Sequence, residues 1–290
     1  MSGVMGTSRP VNRIPLNMLV KRTLVTLVLL PIGIIFIVLG GVYYSLLITL
    51  ILALAAWEYT RLMRAGDLQP AVFLVVAGTV LLALGRAWNS FESAPWIVSL
   101  LILASMTYHL AAFERGRDQS ATDMGVTLAG TLYIGWIGAY LISLRNLPDG
   151  KWWVLLALPA VWFADSGAYL IGSRWGRHKM SPRLSPKKSW EGYFGGILFG
   201  TLGGALLGYI FQTWLGAGVS ITPLRGLLLG LVLSIVTTLG DLGESMIKRQ
   251  VGVKDSGNLL PGHGGAFDRI DSWLWAGVIA YYIILWLFNA

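Results

Sequence analysis

From residue 24 to residue 59 almost every side chain is apolar. A single helix of that length would run about 54 Å, far past a hydrocarbon core of roughly 30 Å. The chain must turn back within the run, and Gly40 and Gly41 are where the backbone is least restricted. Seven more apolar stretches follow, at 71–84, 96–113, 124–144, 153–171, 193–217, 224–239 and 273–288. Hydrophobic residues make up 55% of the 290 and charged residues 12%, about half the charge of an ordinary soluble domain. That balance excludes a water-soluble enzyme and predicts an all-α, polytopic integral membrane protein with nine transmembrane helices. The absence of cysteine excludes a disulfide framework, a thiolate metal site and a cysteine nucleophile.

The net charge of +8 is distributed between apolar runs and not on one soluble face, so nucleic acid is not an expected partner. Threading nine spans with the amino terminus inside leaves only Arg86, Arg145, Lys151 and Arg225 outside, and eighteen of the 22 basic residues inside. This separation matches the tendency of Lys and Arg to remain cytoplasmic. It predicts a cytoplasmic N-terminus, an extracytoplasmic C-terminus and, for a bacterial chain, the inner membrane. Residues 1–22 are expected to form a basic cytoplasmic segment, with no cleavable signal after them, 23–150 the N-terminal membrane helices, and 151–290 a C-terminal membrane region that carries the polar motifs. Trp88, Trp96, Trp152, Trp153, Trp190, Trp214 and Trp273 lie near predicted span ends, where indoles anchor at the headgroup level.

Polar chemistry concentrates between residues 165 and 271, where Asp165, Glu191, Asp241, Glu244, Asp255, Asp268 and Asp271 fall close to two predicted cytoplasmic loops, 174–191 and 241–271. Asp165 is embedded in AVWFADSGAYLIG, and a carboxylate within a span faces a partner, a cation or a wet cavity. The loop GSRWGRHKMSPRLSPKKSWEG carries Lys187 and Lys188 among six basic residues. Its Ser, Pro and Gly content argues against a long regular helix, and it reads either as a headgroup-facing topogenic loop or as a phosphate-binding one. If the preceding helix continues past Asp241, then Asp241, Ser245 and Lys248 share a face, and Asp268 and Asp271 share another at the start of the last helix. Gly257, Gly262, Gly264 and Gly265 offer a backbone that a phosphate can approach. Carboxylates in this number suit Mg²⁺, although an internal salt-bridge network would use the same residues. His263 in PGHGG is a candidate base or a plain turn residue, and His109 and His178 carry less. Neither GxxxxGK[ST] nor GxSxG is present.

Taken together, Ser245, Lys248, Arg249, Lys254, Asp255, Gly257, Leu260, Pro261, His263, Gly264, Gly265, Asp268, Arg269 and Asp271 resemble the signature of the phosphatidate cytidylyltransferases. SPKKSWEG at 185–192 and ADSGAY at 164–169 are similar to that family's upstream motifs. Ala266 departs from the pattern, where a bulkier aliphatic residue is expected. The resemblance covers residues 160–275; before residue 150 the likeness is only that of hydrophobic helices. It implies CTP and phosphatidic acid as substrates, CDP-diacylglycerol and diphosphate as products, and a requirement for Mg²⁺, with a second cation allowed for. By resemblance, Asp241 and Asp268 are the metal carboxylates, Lys248, Arg249 and Asp271 belong with them to the catalytic set, and Lys187, Lys188, Lys248 and Arg249 neutralise phosphates. Ser245, Lys254, Asp255, His263, Gly264, Gly265, Arg269, Asp165 and Glu191 are expected to line the substrates. The bilayer is the other expected partner, with a homodimer expected only from the general symmetry of such enzymes. Two other readings use the same residues: a cation-coupled transporter and a CTP-using polyprenol or phytol kinase.

Overall fold

The computed structural model describes residues 16–216, 218–257 and 264–288, with side chains from residue 27 onward. The chain is built almost wholly of helices: α1 (Leu16–Leu39), α2 (Gly41–Ala65), α3 (Val72–Asn89), α4 (Ala94–Glu114), α5 (Ser120–Gly130), a π-helical segment (Thr131–Ile137), α6 (Tyr140–Asn146), α7 (Gly150–Trp175), α8 (Trp190–Leu215), α9 (Pro223–Gln250) and α10 (Phe267–Leu287). Among the described residues eight stretches are long and apolar enough to cross a membrane, with Ser120–Asn146 counting as one. α1, apolar over Leu27–Leu39, makes a ninth helix. This is an all-α polytopic membrane protein. The only sheet among the described residues is an antiparallel hairpin of β1 (Lys179–Ser181) and β2 (Ser185–Ser189), where turn-rich sequence led only to the expectation of no long helix.

The first turn falls where the sequence requires it. Gly40 and Gly41 both take positive φ, of 64° and 51°, and a Cβ on Gly40 would overlap the Arg145 guanidinium. One apolar core then joins both halves of the chain, running from Ile37, Tyr44 and Leu52 through Leu141 and Trp153 to Phe267, Leu274 and Ile284. In α7, α8 and α9 the packing depends on glycine. A Cβ on Gly204 would strike the carbonyl oxygen of Gly226, one on Gly226 that of Gly204, and one on Gly230 that of Gly200. Lipid tails are as apolar as leucine, so helices in a bilayer gain from close backbone approach, and small residues permit it.

Two expectations need correction. α3 runs on to Asn89, so Arg86 lies inside the helix and not in a loop. It is buried, 3.5 Å from the Phe91 ring centre and 4.5 Å from that of Tyr140, and donates to Ser143 Oγ at 3.0 Å. Trp153 is not an interface anchor: it is fully buried and stacks on Phe288, because α7 begins against the end of α10. Trp88, Trp96, Trp190 and Trp214 are exposed near helix ends, as interfacial indoles should be.

The remaining basic residues at Arg86's end of the bundle are also engaged. Arg145 donates to Ile37 O at 2.6 Å and Val38 O at 3.3 Å, Arg225 to Phe288 O at 3.0 Å, and Lys151 lies over the Trp152 ring. At the other end, Asp123 accepts from Arg117 Nε at 2.8 Å and Gln69 N at 2.7 Å. That hydrogen bond holds the Arg117 guanidinium above its usual range and ties the α2–α3 connection to α5.

If α8 and α9 meet through their glycines, Gly226→Val should cost at least about 1–3 kcal/mol through overpacking. Gly125→Ala, where nothing lies within 4 Å, should leave the thermal midpoint in detergent unchanged. Equal midpoints for both variants would contradict this packing.

Candidate active site

The two motif segments meet at one end of the bundle. α7 ends in Trp175, and β1 and β2 follow as a hairpin whose base is closed by Glu191. The Glu191 carboxylate accepts from the backbone N–H groups of Arg177 (3.1 Å) and His178 (3.1 Å), and lies 2.6 Å from His178 Nδ1. Glu191 therefore anchors the basic hairpin. Ser189, the N-cap of α8, accepts from Gly192 N. These contacts set β2 so that Lys188 reaches across to Asp241 on α9, Nζ to Oδ2 at 2.6 Å, while the neighbouring Lys187 is exposed. Arg249 Nε adds a long bond of 3.4 Å to Leu184 O of the hairpin.

α9 does continue past Asp241, to Gln250, and presents Asp241, Ser245 and Lys248 on one side. Ser245 Oγ donates to Asp241 Oδ1 at 3.4 Å. Lys248, however, turns to different partners: its ammonium lies 2.8 Å from Glu244 Oε2 and 2.7 Å from Asp268 Oδ1. Glu244 and Asp268 have side-chain exposures of only 2% and 6%, so this is a buried ion-pair cluster. The other oxygen of Asp268, Oδ2, accepts from Ser256 N (3.0 Å), Ser256 Oγ (2.8 Å) and Gly265 N (2.8 Å). Gly264 has φ of +83°, and a Cβ there would lie 2.7 Å from that same oxygen. Asp268 is thus the point at which the end of α9, the segment beyond it and the start of α10 are held together.

A second group of carboxylates lies beside the first. Asp165, exposed on α7, is within electrostatic range of Asp241, Lys188 and Arg269. Asp271 is within range of Asp241, Asp165 and Lys248, and its Oδ1 accepts from Ser272 N at 2.6 Å. Lys254, Asp255 and Arg269 are exposed around this end of the bundle. His263 lies outside the described residues, as do Leu260, Pro261 and Gly262.

Among the described residues no three His, Cys, Asp or Glu side chains converge as a ready-made metal site. Individual oxygens retain capacity. Among the described residues, Asp241 Oδ1 has one long hydroxyl contact and Asp268 Oδ1 accepts from Lys248 alone, which leaves each a lone pair for a hard cation. The donor chemistry therefore fits Mg²⁺, with more open space at Asp241 than at Asp268.

Sequence reasoning passed over Glu58. It lies on α2, is 2% exposed, and its Oε2 accepts from Phe267 N at 2.9 Å. The signal was the one applied to Asp165, a lone carboxylate in an apolar helix.

Comparison with known proteins finds similarity along nearly the whole chain. A family model described as the Cytidylyltransferase family matches residues 20–287. A phosphatidate cytidylyltransferase of Pseudomonas aeruginosa is 37% identical over 277 residues, covering 93% of this chain and 97% of that protein. One of Bacillus subtilis is 34% identical over 272 residues, covering 91% and 97%. One of Synechocystis sp. is 33% identical over 285 residues, covering 86% and 91%. With a match of that extent, the chain belongs to the cytidylyltransferase family.

Proposed function

We propose that this chain transfers the cytidylyl group of CTP to phosphatidic acid, forming CDP-diacylglycerol and releasing diphosphate. The observation that carries the reading is the Lys188–Asp241 contact, which joins two distant polar motifs into one site at the end of an apolar bundle. The names of the relatives support it. A phosphate oxygen of phosphatidic acid attacks the α-phosphorus of CTP, and the bond from that phosphorus to the bridging oxygen of the β-phosphate breaks. Both reactants are anions, so the protein's task is to bring them together and in line, which calls for cations and positioning and no covalent intermediate.

In this reading Lys187, Lys188 and Arg249 draw in the phosphates from the hairpin side, and Lys254 and Arg269 do so from the α10 side. Ser245, Asp255, His263, Gly264, Gly265, Asp165 and Glu191 shape or line the substrate space. Lys188, whose charge is held by Asp241 in this structure, exchanges that partner for a substrate phosphate. Asp241 and Asp268 would hold Mg²⁺ and any second cation, with Asp271 beside them. Bound Mg²⁺ supplies charge neutralisation at the phosphate oxygens. Lys248 orients Asp268. The motif loops face the cytoplasm, where CTP is found, across a bacterial inner membrane. A two-fold homodimer is part of the same reading.

With purified protein, phosphatidic acid vesicles and CTP labelled in the cytosine, label should enter the lipid, chelation should stop transfer, and Mg²⁺ should restore it. Entry of γ-phosphate label instead would overturn the reading in favour of a kinase. Asp241→Asn should reduce kcat by about 10²-fold or more with an unchanged thermal midpoint. Asp268→Asn should match that loss and also lower stability by about 1–3 kcal/mol, because it removes a charged hydrogen bond from buried Lys248.

The hairpin lysines should separate. Lys188→Ala should cost more in kcat/KM than Lys187→Ala, since only Lys188 is aimed at Asp241; equal, negligible effects would favour a purely topogenic loop.

Reporter tags inserted after residues 180 and 256 should map to the cytoplasm, and a tag after Ala290 to the outside. An outside signal at either motif loop would separate the site from CTP and end the proposal.

A further inference from the structure

α10 begins at Phe267, and the residue before it, Ala266, has no side chain able to cap the helix. The first N–H groups of any helix lack partners within it, and where they are buried another acceptor must be found. For Phe267 that acceptor is Glu58 Oε2, at 2.9 Å, from a helix 209 residues earlier in the chain. The same oxygen lies 3.4 Å from Ser256 Oγ, the hydroxyl that donates to Asp268 Oδ2 at 2.8 Å. Glu58 thus bridges the two strands of backbone between which Asp268 is held, the segment at Ser256 and the first turn of α10.

Two glycines give independent support. A Cβ on Gly257 would lie 2.6 Å from Glu58 Oε1 and 3.0 Å from Glu58 Cδ, and its three nearest atoms would all belong to Glu58. A Cβ on Gly265 would overlap Glu58 Oε2 and Ser256 Oγ. Neither glycine is among those with positive φ, so backbone conformation does not account for them. The end of a glutamate usually swings aside cheaply, but this one is buried and held by Phe267 N. The sequence suggested that these glycines make room for a phosphate; the space beside them is filled by a carboxylate of the protein.

We propose that Glu58 is a positioning residue for cytidylyl transfer: it caps α10 from α2 and so fixes Asp268 against the Ser256 segment, and Gly257 and Gly265 are glycines because its carboxylate occupies the space of their Cβ atoms. The proposal rests on the reading that Asp268 belongs to the transfer machinery. It gives the N-terminal half of the chain a share in the site.

The test is a double-mutant cycle on the full-length protein in detergent, with Mg²⁺, CTP and phosphatidic acid, reading CDP-diacylglycerol formation and the thermal midpoint. Gly257→Ala alone should lower kcat by about tenfold, whereas in a Glu58→Ala background the same change should cost about twofold or less. Equal losses in the two backgrounds would overturn the proposal. Glu58→Gln keeps an acceptor oxygen of the same reach and should retain kcat within about fivefold, while Glu58→Leu, apolar and of similar bulk, should lose about 10²-fold with KM for CTP nearly unchanged. Wild-type kcat in Glu58→Leu, or a loss that merely follows its thermal midpoint, would count against positioning. Should the leucine variant fail to fold, Glu58→Asp, one methylene too short, carries the same expectation. If the wild-type protein forms no CDP-diacylglycerol, the functional reading fails, and the cycle is read from thermal midpoints. There, relief of the Gly257→Ala penalty by Glu58→Ala supports the cap and strict additivity overturns it.

Discussion

The contact between Lys248 and Asp268 is what the rest of the site depends on. Removing two charges from water is costly, and the cost is recovered only when every remaining donor and lone pair finds good geometry. At Asp268 the chain meets much of that demand from three directions, with Lys248 from α9, Ser256 from the segment beyond it, and Gly265 from the approach to α10, while Glu244 Oε1 has no partner among the described residues. A glycine with positive φ at 264 is needed to let the backbone pass so near. Once these donors are in place, the orientation of α10 against α9 follows, and Asp271, one turn further along, is brought beside Asp165 and Asp241.

The glycine-mediated packing of α7, α8 and α9 works to the same end from within the membrane. Because Gly200, Gly204, Gly226 and Gly230 let the backbones touch, three helices stand close together, and the polar residues at their shared end are gathered into a small area. Asp165, Lys188 and Asp241 then act on one another although they lie on different elements. A wider, leucine-spaced bundle would hold the same residues too far apart to share a phosphate.

Much of this was legible in the sequence, for reasons that differ by feature. The fold-back at Gly40–Gly41 was forced by the length of an apolar run, whereas the helical continuation through Asp241, Ser245 and Lys248 stood only as a condition, which α9 meets. The partners of Lys248 were not legible, since periodicity places it near Asp241 while its ammonium reaches Glu244 and Asp268, and which partner a long side chain selects is decided by tertiary packing. The basic hairpin was read only as irregular, because Pro and Ser content marks a break in helix without revealing strand pairing. Glu191 was grouped with substrate-lining residues on motif alone, whereas its carboxylate is engaged by the hairpin's own backbone. Glu58 carried the same local signal as Asp165, but its partners lie about two hundred residues away, so no local pattern could say what it holds.

The arginines at the opposite end of the bundle alter how the charge count should be understood. Counting residues treats Arg86, Arg145 and Arg225 as three positive charges offered to the outer leaflet. In the folded protein Arg86 is enclosed by aromatic rings, and Arg145 and Arg225 terminate α1 and α10 by donating to their last carbonyl groups, where a cation also meets the negative end of the helix dipole. Among the described residues, anionic lipids on that side would therefore meet almost no unsatisfied cation, whereas at the motif-loop end Lys187, Lys254 and Arg269 stand exposed. The side chains that close the far ends of those helices thus also leave that face of the bundle poor in free positive charge.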